Sequence, residues 1–222
     1  MSQLPAVLTI DGPSGSGKGS ISKLLAETLG WHYLDSGALY RTLGIAALKE
    51  GVDITNEDAT SNLINHIKLE FKRTDQGGWG VFLNTEEVGH LLQTEEVGRV
   101  ASTIAVFPKV RSGLLAMQKS FQVKPGLVAD GRDMGSVVFP EARYKVYLTA
   151  SADERGKRRY KQLIEKGINA NLINIIRDIE QRDERDKTRS ESPLVVPTGA
   201  VYIDSSFSSI DEVVQQVLNI MK

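Results

Sequence analysis

Ile10-Asp11-Gly12-Pro13-Ser14-Gly15-Ser16-Gly17-Lys18-Gly19-Ser20 is the stretch whose reading decides the fold. An apolar run, Ala6 to Ile10, precedes it, and a helix-like run, Ile21 to Leu29, follows. Strand, glycine-rich loop and helix in that order turn a glycine pattern into a phosphate cradle. The glycines admit backbone conformations closed to residues with a Cβ, so successive N–H groups converge on one anion. A helix beginning near Lys18 adds its positive end, and the lysine adds a mobile full charge. The spacing Gly12-x-x-x-x-Gly17-Lys18 is the phosphate-loop signature up to its last position, where a Ser or Thr normally holds Mg²⁺. That position is Gly19, and Ser20 comes one residue late. The loop from Gly12 through Pro13, Ser14, Gly15, Ser16, Gly17, Lys18 and Gly19 to Ser20 is therefore read as binding a nucleoside triphosphate.

Outward from the loop, the periodicity predicts alternating helices and short buried strands. Ile21, Leu24, Leu25 and Leu29 fall on one helical stripe, with Gly30 as its stop. Trp31–Leu34 reads as a strand running into Asp35-Ser36-Gly37-Ala38-Leu39-Tyr40-Arg41, which opens a helix to about Lys49. Thr55 and Asp58 resemble a capping box before a helix at Ala59–Ile67. Helices are also expected from Glu95 to about Ala105, from Pro108 to about Phe121, from Ser151 to Lys166, from Asn171 to about Asp186, and from Ser209 to Met221. Further strands are expected at Leu127–Ala129, Tyr144–Leu148 and Val201–Ile203. Five short apolar strands separated by helices predict an α/β fold, a five-stranded parallel sheet covered on both faces. Between them, Ile67, Leu69 and Phe71 alternate with charged residues, Asp75-Gln76-Gly77-Gly78 has turn chemistry, and Val81–Leu83 returns. Residues 67–93 are read as a small antiparallel β insertion in a core made of 1–66 and 94–222.

Composition narrows the function classes. The chain has 222 residues, 41% hydrophobic and 25% charged, with net charge −1 and pI near 6.3. That balance supplies no bulk positive field for nucleic acid. There is no cysteine for a disulfide, thiolate nucleophile or thiolate metal site. His32, His66 and His90 lack ligand spacing. No run approaches membrane-span length, and Ala6–Ile10 is too short for a signal-peptide core. The expectation is a soluble cytoplasmic protein without a membrane or nucleic-acid partner. A GTPase switch is disfavoured: no Asn-Lys-x-Asp motif occurs, and the Asp-x-x-Gly at Asp75 to Gly78 lies in the insertion, away from the loop.

In parallel sheets of this kind ligands bind beyond the carboxyl ends of the strands. Three such ends carry polar clusters: Asp11–Ser20, Asp35–Arg41 and Asp130–Asp133. Arg41 and Arg132 are expected in the crevice, with Arg111 and the helical face Arg182, Arg185 and Arg189 as further cations. So many arginines suggest a second anion. Two unit charges 4 Å apart repel by about 4 kcal/mol at an effective dielectric near 20. Bringing a phosphate acceptor up to a γ-phosphate therefore needs a cation-lined site, and arginine holds phosphate oxygens bidentately. Such an acceptor is already an oxyanion, so alignment and charge neutralisation suffice without a general base. Blander readings stay open. Arg177–Arg189 holds five basic and five acidic residues, as a solvated helix does. Asp35, Asp130 and Asp133 also suit turns and caps. Arg155, Arg158 and Arg159 equally suit a surface, and Trp31 and Trp79 suit packing.

The segments TIDGPSGSGKGS, LDSGALYR, ASTIAVFPKVR, ADGRDMGSVVFP and QRDERDKTR together closely resemble the bacterial cytidylate (CMP/dCMP) kinases, from residue 9 to 189. The resemblance implies ATP as phosphoryl donor, CMP or dCMP as acceptor, and Mg²⁺ held mainly by phosphates and water rather than by a protein metal site. A Gly after the loop lysine is a trait of such kinases. The resemblance further implies that Lys18 reaches the transferred group and that Asp35 borders the acceptor. Ser36, Arg41, Arg132 and Arg189 would hold the acceptor phosphate. Ser102, Arg111 and Asp133 would read the cytosine edge, and Arg182 and Asp186 the ribose. A lid at about 153–170 would bring Arg158 or Arg159 onto ATP, the 67–93 insertion would serve acceptor binding, and the chain would act as a monomer.

Overall fold

The computed structural model describes residues 4–75, 77–165, 167–189 and 191–222. In chain order its strands are β1 (Ala6–Asp11), β2 (His32–Asp35), β3 (Leu69–Arg73), β4 (Trp79–Leu83), β5 (Glu86–Glu87), β6 (Gly126–Gly131), β7 (Tyr144–Thr149) and β8 (Val201–Asp204). Its α-helices are α1 (Lys18–Leu29), α2 (Ser36–Lys49), α3 (Glu57–Leu63), α4 (Glu95–Ile104), α5 (Pro108–Ser120), α6 (Ala152–Glu165), α7 (Leu172–Thr188) and α8 (Ile210–Ile220).

Five strands form one parallel sheet in the order β2-β6-β1-β7-β8. The apolar runs of the inner strands are buried on both faces, as in Leu8, Ile10, Leu127, Val128, Val146 and Leu148, whereas the edge strand β8 leaves Val201 and Tyr202 exposed. Ile21 and Leu25 of α1, with Val213 and Val217 of α8, pack into this same core. The register decides where the chemistry falls. Asp35 pairs with Asp130, Asp11 with Gly131, and Asp11 with Tyr147, so the polar strand ends share one edge of the sheet. A second core joins α2, α4 and α5 through Leu43, Val97, Val100, Ile104, Val110 and Leu114.

Local chemistry starts the helices. Asp35 caps α2 by accepting from Ala38 N, Asn171 caps α7, and Ser209 with Glu212 forms a complete capping box on α8. Ser151 Oγ accepts from Glu154 N ahead of α6. The expected Thr55–Asp58 box is corrected. Asn56 is the cap, accepting from Ala59 N, while Thr55 bonds to Asp53, and the helix ends at Leu63 rather than Ile67. Leu24 also departs from its expected stripe and faces solvent. Lys166, the expected end of α6, lies outside the described residues, as does Gln76.

The three shorter strands make a separate antiparallel sheet, β3-β4-β5, in which Leu69 faces Leu83 and Phe71 faces Val81. Its inner face does not stand alone. Phe71 meets Tyr33 of β2 edge-on at 6.0 Å and Phe121 at 5.6 Å, while Trp79 lies 5.5 Å from Tyr33. No single described helix is long and apolar enough to cross a membrane.

Candidate active site

The loop after β1 has the backbone that the sequence requires. Gly12 sits at φ 151, and a Cβ there would come 1.9 Å from Leu148 O, so only glycine lets β7 pass this close. Gly17, at φ 93, is the left-handed N-cap from which α1 springs. Lys18 lies back along the loop and donates to Pro13 O at 2.8 Å. Burial pulls its ammonium down to about 8, against the attraction of Asp130.

Beside it stands a buried acid pair that the sequence placed in the polar clusters at the strand ends without giving it a role. Asp130 is buried near the end of β6, and burial pushes its carboxyl up to about 7, against the pull of Lys18. Asp11, at the end of β1, is also pushed up by burial to about 7, while it accepts from Met134 N at 2.8 Å and Gly135 N at 2.7 Å. Those two amides begin a π-helical turn, Met134–Val138, which no periodicity signalled. The available signal was an Asp at each of two buried strand ends. Burial in a strand is where an unpaired carboxylate costs most.

The expected cations gather in two stations. The first is a cleft of about 1210 Å³ walled by Ser14 to Ile21, Arg41, Arg158, Arg159, Arg182 and Ser205. Arg158 fastens its guanidinium to Ser205, donating to the backbone O at 2.5 Å and to Oγ at 3.3 Å. Arg41 donates to Leu92 O at 2.5 Å and rests against α4 at Gly98. Burial lowers its pKa first, and the charges of Arg132 and Arg159 lower it further, against Asp35. Arg182 is brought down to about 10 by burial, then by Arg132, with Asp186 opposing and Arg41 adding to the repulsion. These crowded guanidinium groups border both stations.

The second station is a chain of ion pairs. Arg132 Nε is bonded to Asp186 Oδ2. Arg111 Nη2 donates to Asp133 Oδ2 at 2.6 Å, and Arg189 Nη2 lies 3.9 Å from that same oxygen. Arg189 Nε donates to Ser192 O, but its buried Nη2 has no hydrogen-bond partner among the described residues. A buried guanidinium nitrogen left this way is costly unless an anion takes it.

The remaining expected residues are placed as follows. Ser36 is buried at the start of α2, its Oγ accepting from Gln118 Nε2 at 2.8 Å. Asp35 is the α2 cap, the blander of its two readings. Ser102 stands exposed on α4, its Oγ donating to Gly98 O, outside the walls of the cleft. Arg155 is not on the surface: it is 3% exposed and bonded on several sides. Gln118 went unnoticed in the sequence because a lone glutamine on an amphipathic helix carries no pattern.

A parallel sheet whose central strand feeds a phosphate cradle, with a second cationic station at the same strand ends, defines a phosphate-loop phosphotransferase. The cytidylate kinase family model matches residues 8–222, and the chain belongs to the cytidylate kinase family. It is 49% identical over 218 residues to the cytidylate kinase of Colwellia psychrerythraea, covering 98% of this chain and 96% of that one. The cytidylate kinase of Stutzerimonas stutzeri is 50% identical over 96% of this chain and 93% of its own. That of Shewanella loihica is 47% identical over 100% and 96%.

Proposed function

We propose that the chain transfers the γ-phosphoryl group of ATP to CMP or dCMP, giving ADP and CDP or dCDP. Beyond family membership, the observation that carries this reading is the unsatisfied Arg189 Nη2, set among Arg111, Asp133 and the Arg132–Asp186 pair, beside a formed phosphate cradle. A protein that bound one triphosphate would have no use for that second station.

In this reading the amides of Gly12 to Ser20 take the ATP phosphates, and Lys18 swings from Pro13 O to the group in transfer. Arg41, Arg132 and Arg189, with the Ser36 hydroxyl, take the acceptor phosphate. Arg158 and Arg159 close on ATP from the lid at about 153–170. The acceptor base is chosen by the Arg111–Asp133 pair. Cytosine presents an N4 amine donor beside ring acceptors. A guanidinium and a carboxylate side by side match that edge, whereas the uracil O4 would face Asp133 as acceptor against acceptor. Ser102 completes the edge from α4, and Arg182 and Asp186 face the ribose. Asp35 steadies the acceptor end of α2, and the 67–93 insertion borders the acceptor.

Mg²⁺ accompanies the donor. Residue 19 offers no hydroxyl, but Asp130 Oδ2 lies 3.5 Å from where a Cβ on Gly19 would stand. A carboxylate so placed would suit a hard cation held through water. When bound, the ion would supply positive charge against the donor phosphates. Lys18 and the arginines neutralise the rest, and the acceptor oxyanion attacks in line without a general base. The chain acts as a cytoplasmic monomer on small molecules, with no membrane or nucleic-acid partner. A coupled ADP-release assay with CMP, dCMP, UMP, AMP and GMP tests this. Turnover is expected with the two cytidylates, and its absence with both would end the proposal.

A further inference from the structure

We propose that Arg155 is a positioning residue that fixes the rotation of α7 against the phosphate loop, so that the two nucleotides meet in line. The inference rests on the phosphoryl-transfer reading above and assigns a role to a pair that the reading does not use. Arg155 sits in the first turn of α6 and engages four of its five N–H donors. Nε donates to Ala150 O at 2.9 Å, Nη1 to Ser14 O at 3.0 Å and to Asp183 Oδ1 at 3.0 Å, and Nη2 to Asp183 Oδ2 at 2.5 Å. One guanidinium thus joins the end of β7, a carbonyl of the phosphate loop and the middle of α7.

Asp183 is the residue after Arg182 and three before Asp186, and Arg189 ends the same helix. Turning α7 about its axis moves all three acceptor groups together. None of the residues of α7 is buried, so polar ties hold that angle, this pair toward the phosphate loop and the Arg132–Asp186 bond toward the end of β6. A further tight contact lies one residue along α6: a Cβ on Gly156 would lie 2.4 Å from Ile176 Cγ1, so the two helices touch backbone to side chain there. The bidentate Arg155–Asp183 pair and the Gly156–Ile176 contact therefore clamp the root of the α6–α7 hairpin to the donor loop. Each substrate binds on its own half, and the clamp sets the halves relative to one another.

The test separates alignment from binding and from folding. Asp183→Asn keeps the shape but gives up the paired charge, and Arg155→Met/Asp183→Leu replaces the pair by apolar groups of similar bulk, which restores stability without the tie to Ser14. Dissociation constants for a non-hydrolysable ATP analogue and for CMP are measured singly by calorimetry, and kcat is measured well below each Tm. We expect both binary constants within about threefold of the parent and kcat down by about tenfold to a hundredfold, the cost of a small misplacement of reacting groups. The double variant should recover Tm and not kcat. A kcat within about twofold of the parent in the double variant, or a parallel loss of both binary affinities in either variant, would overturn the role. Failure of the phosphoryl-transfer reading would show instead as a parent chain inactive on CMP.

Discussion

Asp11 accepts the backbone N–H of Gly135 at 2.7 Å across 124 residues of chain, and so the strand that feeds the phosphate cradle also fixes the turn that follows Arg132 and Asp133. The price of that junction is a carboxylate with no exposure to water.

The first prediction follows from its protonation. Burial raises Asp11 from 3.8 to about 7, with Asp133 adding to the rise and the two amides and Lys18 opposing it. The folded chain therefore holds a proton that the unfolded chain has released, and the stability this contributes is whole below pH 3.8 and lost as pH rises through 7. Asp11→Asn cannot titrate. The parent's stability relative to Asp11→Asn should fall, by on the order of 3 kcal/mol, between about pH 5 and pH 8 without nucleotide. Denaturant melts of both proteins at the two pH values check this, and a constant difference contradicts it.

Lys18→Ala should reduce kcat by at least about 10²-fold, because a charge aimed at the transferred group is lost. The fold should persist, since among the described residues the Lys18 ammonium bonds only to Pro13 O within the loop. Circular dichroism melts beside steady-state rates decide it.

Arg111→Met should raise the KM for CMP by about tenfold and narrow the preference for CMP over UMP, since a charge-assisted bond is removed from the base edge. Asp133 would keep only Arg189 as cation, at 3.9 Å. The KM for ATP should not move. Unaltered selectivity would make Arg111 a structural residue.

Gln118→Leu should raise the KM for CMP several-fold and leave that for ATP alone. Gln118 Nε2 donates to Ser36 Oγ, which leaves the serine's single proton free to donate to the acceptor phosphate. Without that donor the hydroxyl is free to rotate. Equal shifts in both KM values would refute the assignment.

Much of this architecture was legible because it rests on local signals. The Gly12–Lys18 spacing, the alternation of apolar runs with helices, and the caps at Asp35 and Ser209 each declare themselves within a few residues. What the sequence withheld depends on contacts between distant segments. Asn56 displaced Thr55 as a cap because Thr55 is taken by Asp53. The turn at Met134 exists because Asp11 holds it. Arg155 suited a surface as well as a site, since neither Ser14 nor Asp183 is near it in the chain. The arginines of the site were visible as a group, yet the pairing of Arg132 with Asp186 and of Arg111 with Asp133 needed the folded geometry.

The aromatic seam of Tyr33, Phe71, Trp79 and Phe121 bears on how this protein can be recombined with its relatives. A chimera that exchanged residues 67–93 alone would carry half a seam and leave the other half facing a foreign surface. Crossovers should therefore move β2 and the end of α5 together with the small sheet, or spare all three.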